Sequence, residues 1–142
     1  MKKALTVISA ILSVALIVVG IVCIKQNKTI ETREFQEFNN TMLYCGLMPG
    51  IESDAQWNNA SAILGHFASS CNVPDNGDNV KLLRMCNLLF NVQGSDPERQ
   101  EIQRMLDKLM ISWDTQKRVT TVVDGDIDGL LEKLAEVLDI PA

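Results

Sequence analysis

The feature that most constrains this chain is a run of 21 residues, Ala4 to Ile24, that carries no charge and only three polar side chains, Thr6, Ser9 and Ser13. A helix rising about 1.5 Å per residue would make that run roughly 31 Å long, the thickness of a bilayer's hydrocarbon core. Lys2 and Lys3 precede the run, and Lys25 and Lys28 follow it. A cleaved secretory signal would have a shorter apolar core of about 7–15 residues and a small-x-small site beyond it. Here the best such site, Val18-Val19-Gly20, lies inside the run, and Val22 before Cys23 is too large for a lipoprotein signal. The run therefore predicts an uncleaved single-pass signal-anchor.

Three segments follow from this reading: a cationic tail over 1–3, a transmembrane helix over 4–24 and a helical extramembrane domain over 25–142. A short cationic tail stays in the cytoplasm, which places the body outside it, in a periplasmic or extracellular space. Thr6, Ser13 and Gly20 are spaced by seven, with Ser9 on the same face, so the helix offers a stripe where another helix could approach closely. The alternative is that these small residues meet only lipid.

Past residue 24 the hydrophobic spacing is that of helices broken by turns. The first segment, Thr29 to Leu47, places Phe35, Phe38, Met42 and Cys45 on one face and stops at Met48-Pro49-Gly50. The second, Ser53 to Cys71, buries Trp57, Ala60, Leu64, Phe67 and Cys71. The third, Asp78 to Val92, buries Leu82, Leu83, Cys86, Leu89 and Phe90. Ser95-Asp96-Pro97-Glu98 has the form of a capping box opening a fourth helix, with Ile102, Leu106, Leu109 and Trp113 on its inner face. A fifth begins near Asp126 or Asp128 and buries Leu130, Leu131, Leu134 and Leu138. Arg118 to Val123, rich in Val and Thr, is the one stretch that could be extended. The expected fold is all-α: one transmembrane helix and a compact bundle of four to five short amphipathic helices.

Chemistry is sparse. Asp124-Gly125-Asp126-Ile127-Asp128-Gly129 spaces three carboxylates like positions 1, 3 and 5 of a calcium loop, with the turn glycine at position 6. Position 12, which should supply a bidentate Glu, is Ala135. The competing reading is that these acids cap a helix and complement its dipole. Cys71 and Cys86 flank the Pro74–Gly77 turn, so antiparallel helices could bring them together as a disulfide in an oxidising compartment. Cysteine spacing does not suit zinc, and the single histidine, His66, stands beside no recognisable nucleophile motif. These features point to no enzyme and no cofactor. All 18 acidic side chains but only 11 of the 13 basic ones lie after residue 24, which excludes a nucleic-acid binder.

The partners this sequence implies are the lipid bilayer, another membrane or envelope protein, and a second copy through the transmembrane helix. The function expected is that of an anchored protein-interaction module, an accessory subunit of a membrane or envelope assembly. Two alternatives use the same parts: a tethered sensor binding a small ligand or calcium through Asp124, Asp126 and Asp128, and a phage-like lysis or exclusion factor.

Overall fold

The computed structural model describes residues 2–141, and side chains from residue 15 onward. It divides into two compact units, residues 1–33 and 34–142. The first is the amino-terminal part of α1 (Lys2–Cys45). The second holds the end of that helix, a 3-10 turn (Met48–Gly50), α2 (Asp54–Ser70), α3 (Asn79–Leu89), α4 (Arg99–Asp107), a hairpin of β1 (Met110–Asp114) and β2 (Val119–Asp124), and α5 (Ile127–Val137).

The anchor is the first correction. Among the described residues, no helix is long and apolar enough to cross a membrane. α1 does not stop at Lys25–Lys28 but continues unbroken to Cys45, so its apolar residues lie on one helix with Lys25, Lys28, Glu31 and Arg33. The single-pass signal-anchor, and the placement of the body outside the cytoplasm that was built on it, are not supported. Thr6, Ser9 and Ser13, with the rest of the run before Ala15, lie outside the residues whose side chains are described; Gly20 is within them and exposed.

The second correction concerns the fold class. The chain is mostly helical but carries a two-stranded antiparallel sheet, so it is not all-α. The fourth helix was expected to run on to Trp113, yet α4 ends at Asp107. Leu109 closes it with a tight bond to Leu106 O, and Met110–Asp114 then extend as a strand. Leu109 and Trp113 satisfy a helical spacing, but Val119–Val123 supply a β-prone partner. Ile111 pairs with Val122 and Trp113 with Thr120. The Asp114 carboxylate accepts from the backbone N–H groups of Gln116 and Lys117, both at 3.0 Å. With Arg118 at φ 55° this turns the chain back.

One core fills the second unit. Phe35, Phe38, Met42 and Cys45 of α1 pack with Trp57 and Leu64 of α2, Leu82 and Leu89 of α3, Ile102 of α4, and Leu130 and Leu134 of α5. The buried Trp57 indole satisfies its one donor on Val92 O at 2.9 Å, and the Arg99 guanidinium sits 5.9 Å from its ring. Arg99 also pairs with Asp54 at 2.9 Å and donates to Glu52 O at 3.1 Å, fixing α4 to the start of α2.

The hairpin is fastened by α3. Asn79, fully buried, donates through Nδ2 to Pro74 O at 3.1 Å and Arg118 O at 2.9 Å, while its Oδ1 accepts from Thr120 N–H at 2.8 Å. Asp78 Oδ2 accepts from Val122 N–H at 2.8 Å. Gly77, at φ 55°, passes so close to β2 that a Cβ would lie 2.6 Å from Thr120 O.

Candidate functional site

The aspartate loop follows β2. Gly125 makes the turn at φ 93°. Asp124 Oδ1 accepts from Gly125 N–H, and Asp126 Oδ1 accepts from Gly129 N–H, each at 2.8 Å. Asp126 is thus the N-cap of α5. Asp128 turns instead to Lys81 of α3, with 2.8 Å and 2.9 Å contacts from Nζ to its two oxygens. That contact holds the Lys81 ammonium above its usual range. The three carboxylates therefore serve separate partners, two of them backbone amides. Among the described residues, no group of three or more His, Cys, Asp or Glu is arranged to hold a metal ion.

The expected capping box is not formed. α4 starts at Arg99, and Glu98 occupies the cap position without a side-chain capping bond. Asp96 accepts from Gln93 N–H at 2.6 Å, which spends that acid on the preceding turn. Glu98 instead reaches Lys133 of α5 at 3.2 Å, beside Glu101 at 3.2 Å and Glu136 at 3.3 Å. Lys133 is raised by these carboxylates, Glu101 foremost, and Glu101 is lowered by Lys133 in turn. Sequence spacing shows Glu98 and Glu101 as one acidic face; it does not show that α5 sets a lysine between them.

A cleft of about 350 Å³ opens between the last turns of α1 and α2, with Thr41, His66, Phe67 and Cys71 among its lining. Tyr44 and Phe67 meet edge to face at 6.2 Å beside it. Thr41 Oγ1 donates to Glu37 O at 2.9 Å and lies 3.6 Å from Cys71 Sγ. Burial pushes the Cys71 thiol up, the Thr41 contact pulls it down, and the Glu37 charge adds to the rise. A raised thiol is a poor nucleophile at neutral pH. His66 and Cys71 line one cleft, and burial there outweighs the Thr41 contact at the sulfur.

All four cysteines are free thiols. Cys71 lies against Thr41, whereas the buried Cys86 places its Sγ 3.7 Å from Met42 Sδ. The neighbour of Cys86 is therefore on α1, a juxtaposition that the Pro74–Gly77 turn alone does not reveal.

Among the described residues, α1 leaves a run of apolar side chains uncovered. Leu16, Ile17, Val19 and Ile24 are 71%, 62%, 58% and 60% exposed, and Val18, Ile21 and Val22 are exposed as well. A Cβ built at Gly20 would meet nothing within 4 Å. No protein-family model matches the chain, and neither does any curated protein or solved structure.

Proposed function

We propose that this chain is a helical protein-interaction module, an accessory subunit that works by engaging the apolar helix of another protein. The observation that carries this reading is the exposure of α1 between Leu16 and Ile24. Contiguous apolar surface of that kind marks an interaction site, because leaving it in water costs about 25 cal/mol per Å². The open space at Gly20 would let a partner backbone come close. The second unit supports the reading differently: its core is closed, Asp126 and Asp128 are engaged by Gly129 N–H and Lys81, and burial pushes up the thiol in its cleft. The aspartates cap α5 and pair with Lys81, so no observation favours the calcium-sensor alternative.

Site-specific photo-crosslinking on the full-length chain tests this. A crosslinker at Ile17 or Ile21 should give adducts to one helical segment of a partner protein, or of a second copy. The same group at Lys117, 79% exposed in its side chain, should not. Adducts to lipid alone, or none at Ile17 and Ile21, would refute the reading.

A further inference from the structure

The rest of the chain covers one edge of the hairpin and leaves the other open. The outer edge of β2 is closed. Thr120 N–H and Val122 N–H donate to Asn79 Oδ1 and Asp78 Oδ2, and Thr120 O accepts from Asp78 N–H, each at 2.8 Å. Thr120 and Val122 therefore direct their backbone groups toward the start of α3. Their partners across the ladder, Trp113 and Ile111, direct theirs the opposite way, off the free side of β1. Among the described residues, no backbone hydrogen bond from another element reaches Ile111 or Trp113, and the sheet ends at β1. Two N–H donors and two C=O acceptors thus stand along that edge, spaced for one more strand.

The edge is self-complementary. An antiparallel copy of β1 centred on Ser112 sets Ile111 opposite Trp113 twice, and each such pair exchanges two backbone hydrogen bonds. Ile111 and Trp113 share one face of β1; Ile111 packs partly against the core, and Trp113 is 38% exposed. The same alignment therefore forms two β-branched–aromatic pairs across the seam. Charge selects the direction. A parallel copy in register would stack Asp114 on Asp114, whereas the antiparallel one sets Asp114 opposite Met110, toward the exposed Lys108. A two-stranded sheet is marginal by itself, and this pairing extends it to four strands.

We propose that β1 is the docking edge for a second copy of this chain, added antiparallel about a two-fold axis through Ser112. The contact is isologous and closes as a dimer. It uses no part of α1, so it stands or falls separately from the engagement of the apolar stretch.

The test uses the full-length chain with Cys23→Ser, which removes the exposed native thiol. Ser112→Cys and Thr121→Cys are then added singly; both sites are exposed and pair across the ladder, but only Ser112 lies on the axis. Opposed Cα atoms at the axis are about 4.5 Å apart, within the span of a disulfide, whereas Thr121 is three strand spacings, about 14 Å, from its counterpart. Oxidised glutathione, acid quench, alkylation and peptide mapping should show Ser112→Cys linked to its own copy and Thr121→Cys unlinked. Adding Trp113→Lys, which removes both aromatic pairs and charges the edge, should lower the Ser112→Cys linkage by about tenfold or more. Should Trp113→Lys not fold by circular dichroism, the comparison of the two cysteine variants decides alone. Equal linkage at the two sites, or none at either, would overturn the proposal. So would linkage at Ser112→Cys that a folded Trp113→Lys leaves unchanged.

Discussion

Replacing Asn79 by Ala tests whether one side chain holds the hairpin to the helices. The residue is fully buried and makes three hydrogen bonds to three different backbone groups, at 3.1, 2.9 and 2.8 Å. Each such bond contributes about 1 kcal/mol net, and a buried partner left unpaired costs about 1–3 kcal/mol. Water that enters the vacated space can re-pair part of Pro74 O, Arg118 O and Thr120 N–H, so the expected loss is about 3 kcal/mol. Asn79→Asp is a sharper variant. It keeps the acceptor for Thr120 N–H but aims a carboxylate oxygen at two carbonyls, and should cost at least as much as Ala. Urea unfolding of the full-length chain gives the loss. Hydrogen exchange then locates it, with the amides of Thr120 and Val122 losing protection before those of α2. A loss below about 1 kcal/mol, or uniform deprotection of helices and hairpin together, would refute the reasoning.

Three further outcomes are expected. Asp126→Ala should lower stability by about 1 kcal/mol through loss of the α5 cap, and millimolar calcium should leave the melting temperature of the unsubstituted chain unchanged; a calcium-dependent rise that vanishes in the variant would restore the ion site. Glu101 is lowered by Lys133, so its contribution is present above the unfolded carboxylate value of about 4.3 and is lost as pH falls through the lower folded value. Melting temperatures between pH 6 and about 3 should therefore fall less steeply in Glu101→Gln. Lys133 is raised, so its contribution is complete below about 10.4 and disappears as pH rises through the folded value. Gly94→Ala should cost about 1–3 kcal/mol, because the added Cβ runs into the Asp54 backbone, whereas Gly50→Ala meets nothing within 4 Å and should be tolerated; thermal melts compare them directly.

Residues whose neighbours are set by one helix's own period were legible from sequence. Trp57, Ala60 and Leu64 of α2, Leu82, Cys86 and Leu89 of α3, and Leu130 and Leu134 of α5 all lie in the core as their spacing indicates, but Phe67 and Phe90, which the same spacing assigns to it, are exposed. The boundary of α4 was not legible, because Ile102, Leu106, Leu109 and Trp113 fit a helix as well as they fit a helix followed by a strand. The deciding term is the pairing of Trp113 with Thr120, which no local window contains. Asp126 was readable as a cap, since an acid before an apolar helix has few better uses. Asn79 does not stand out in the sequence, because a polar residue after the Asn72–Gly77 turn looks like a helix start. Its three bonds reach residues 74, 118 and 120, and only the folded chain brings those together.

The placement of Leu130 and Leu134 at the centre of the second unit has a consequence for biosynthesis. The core cannot close until Leu134 has left the ribosome, about 110 residues after Ile24. At about 5–20 residues per second that interval is about 5–20 s, during which the apolar stretch of α1 is outside and the domain that follows it is unfinished. Whatever engages Leu16 to Ile24 is thus offered a nascent chain before it is offered a folded protein.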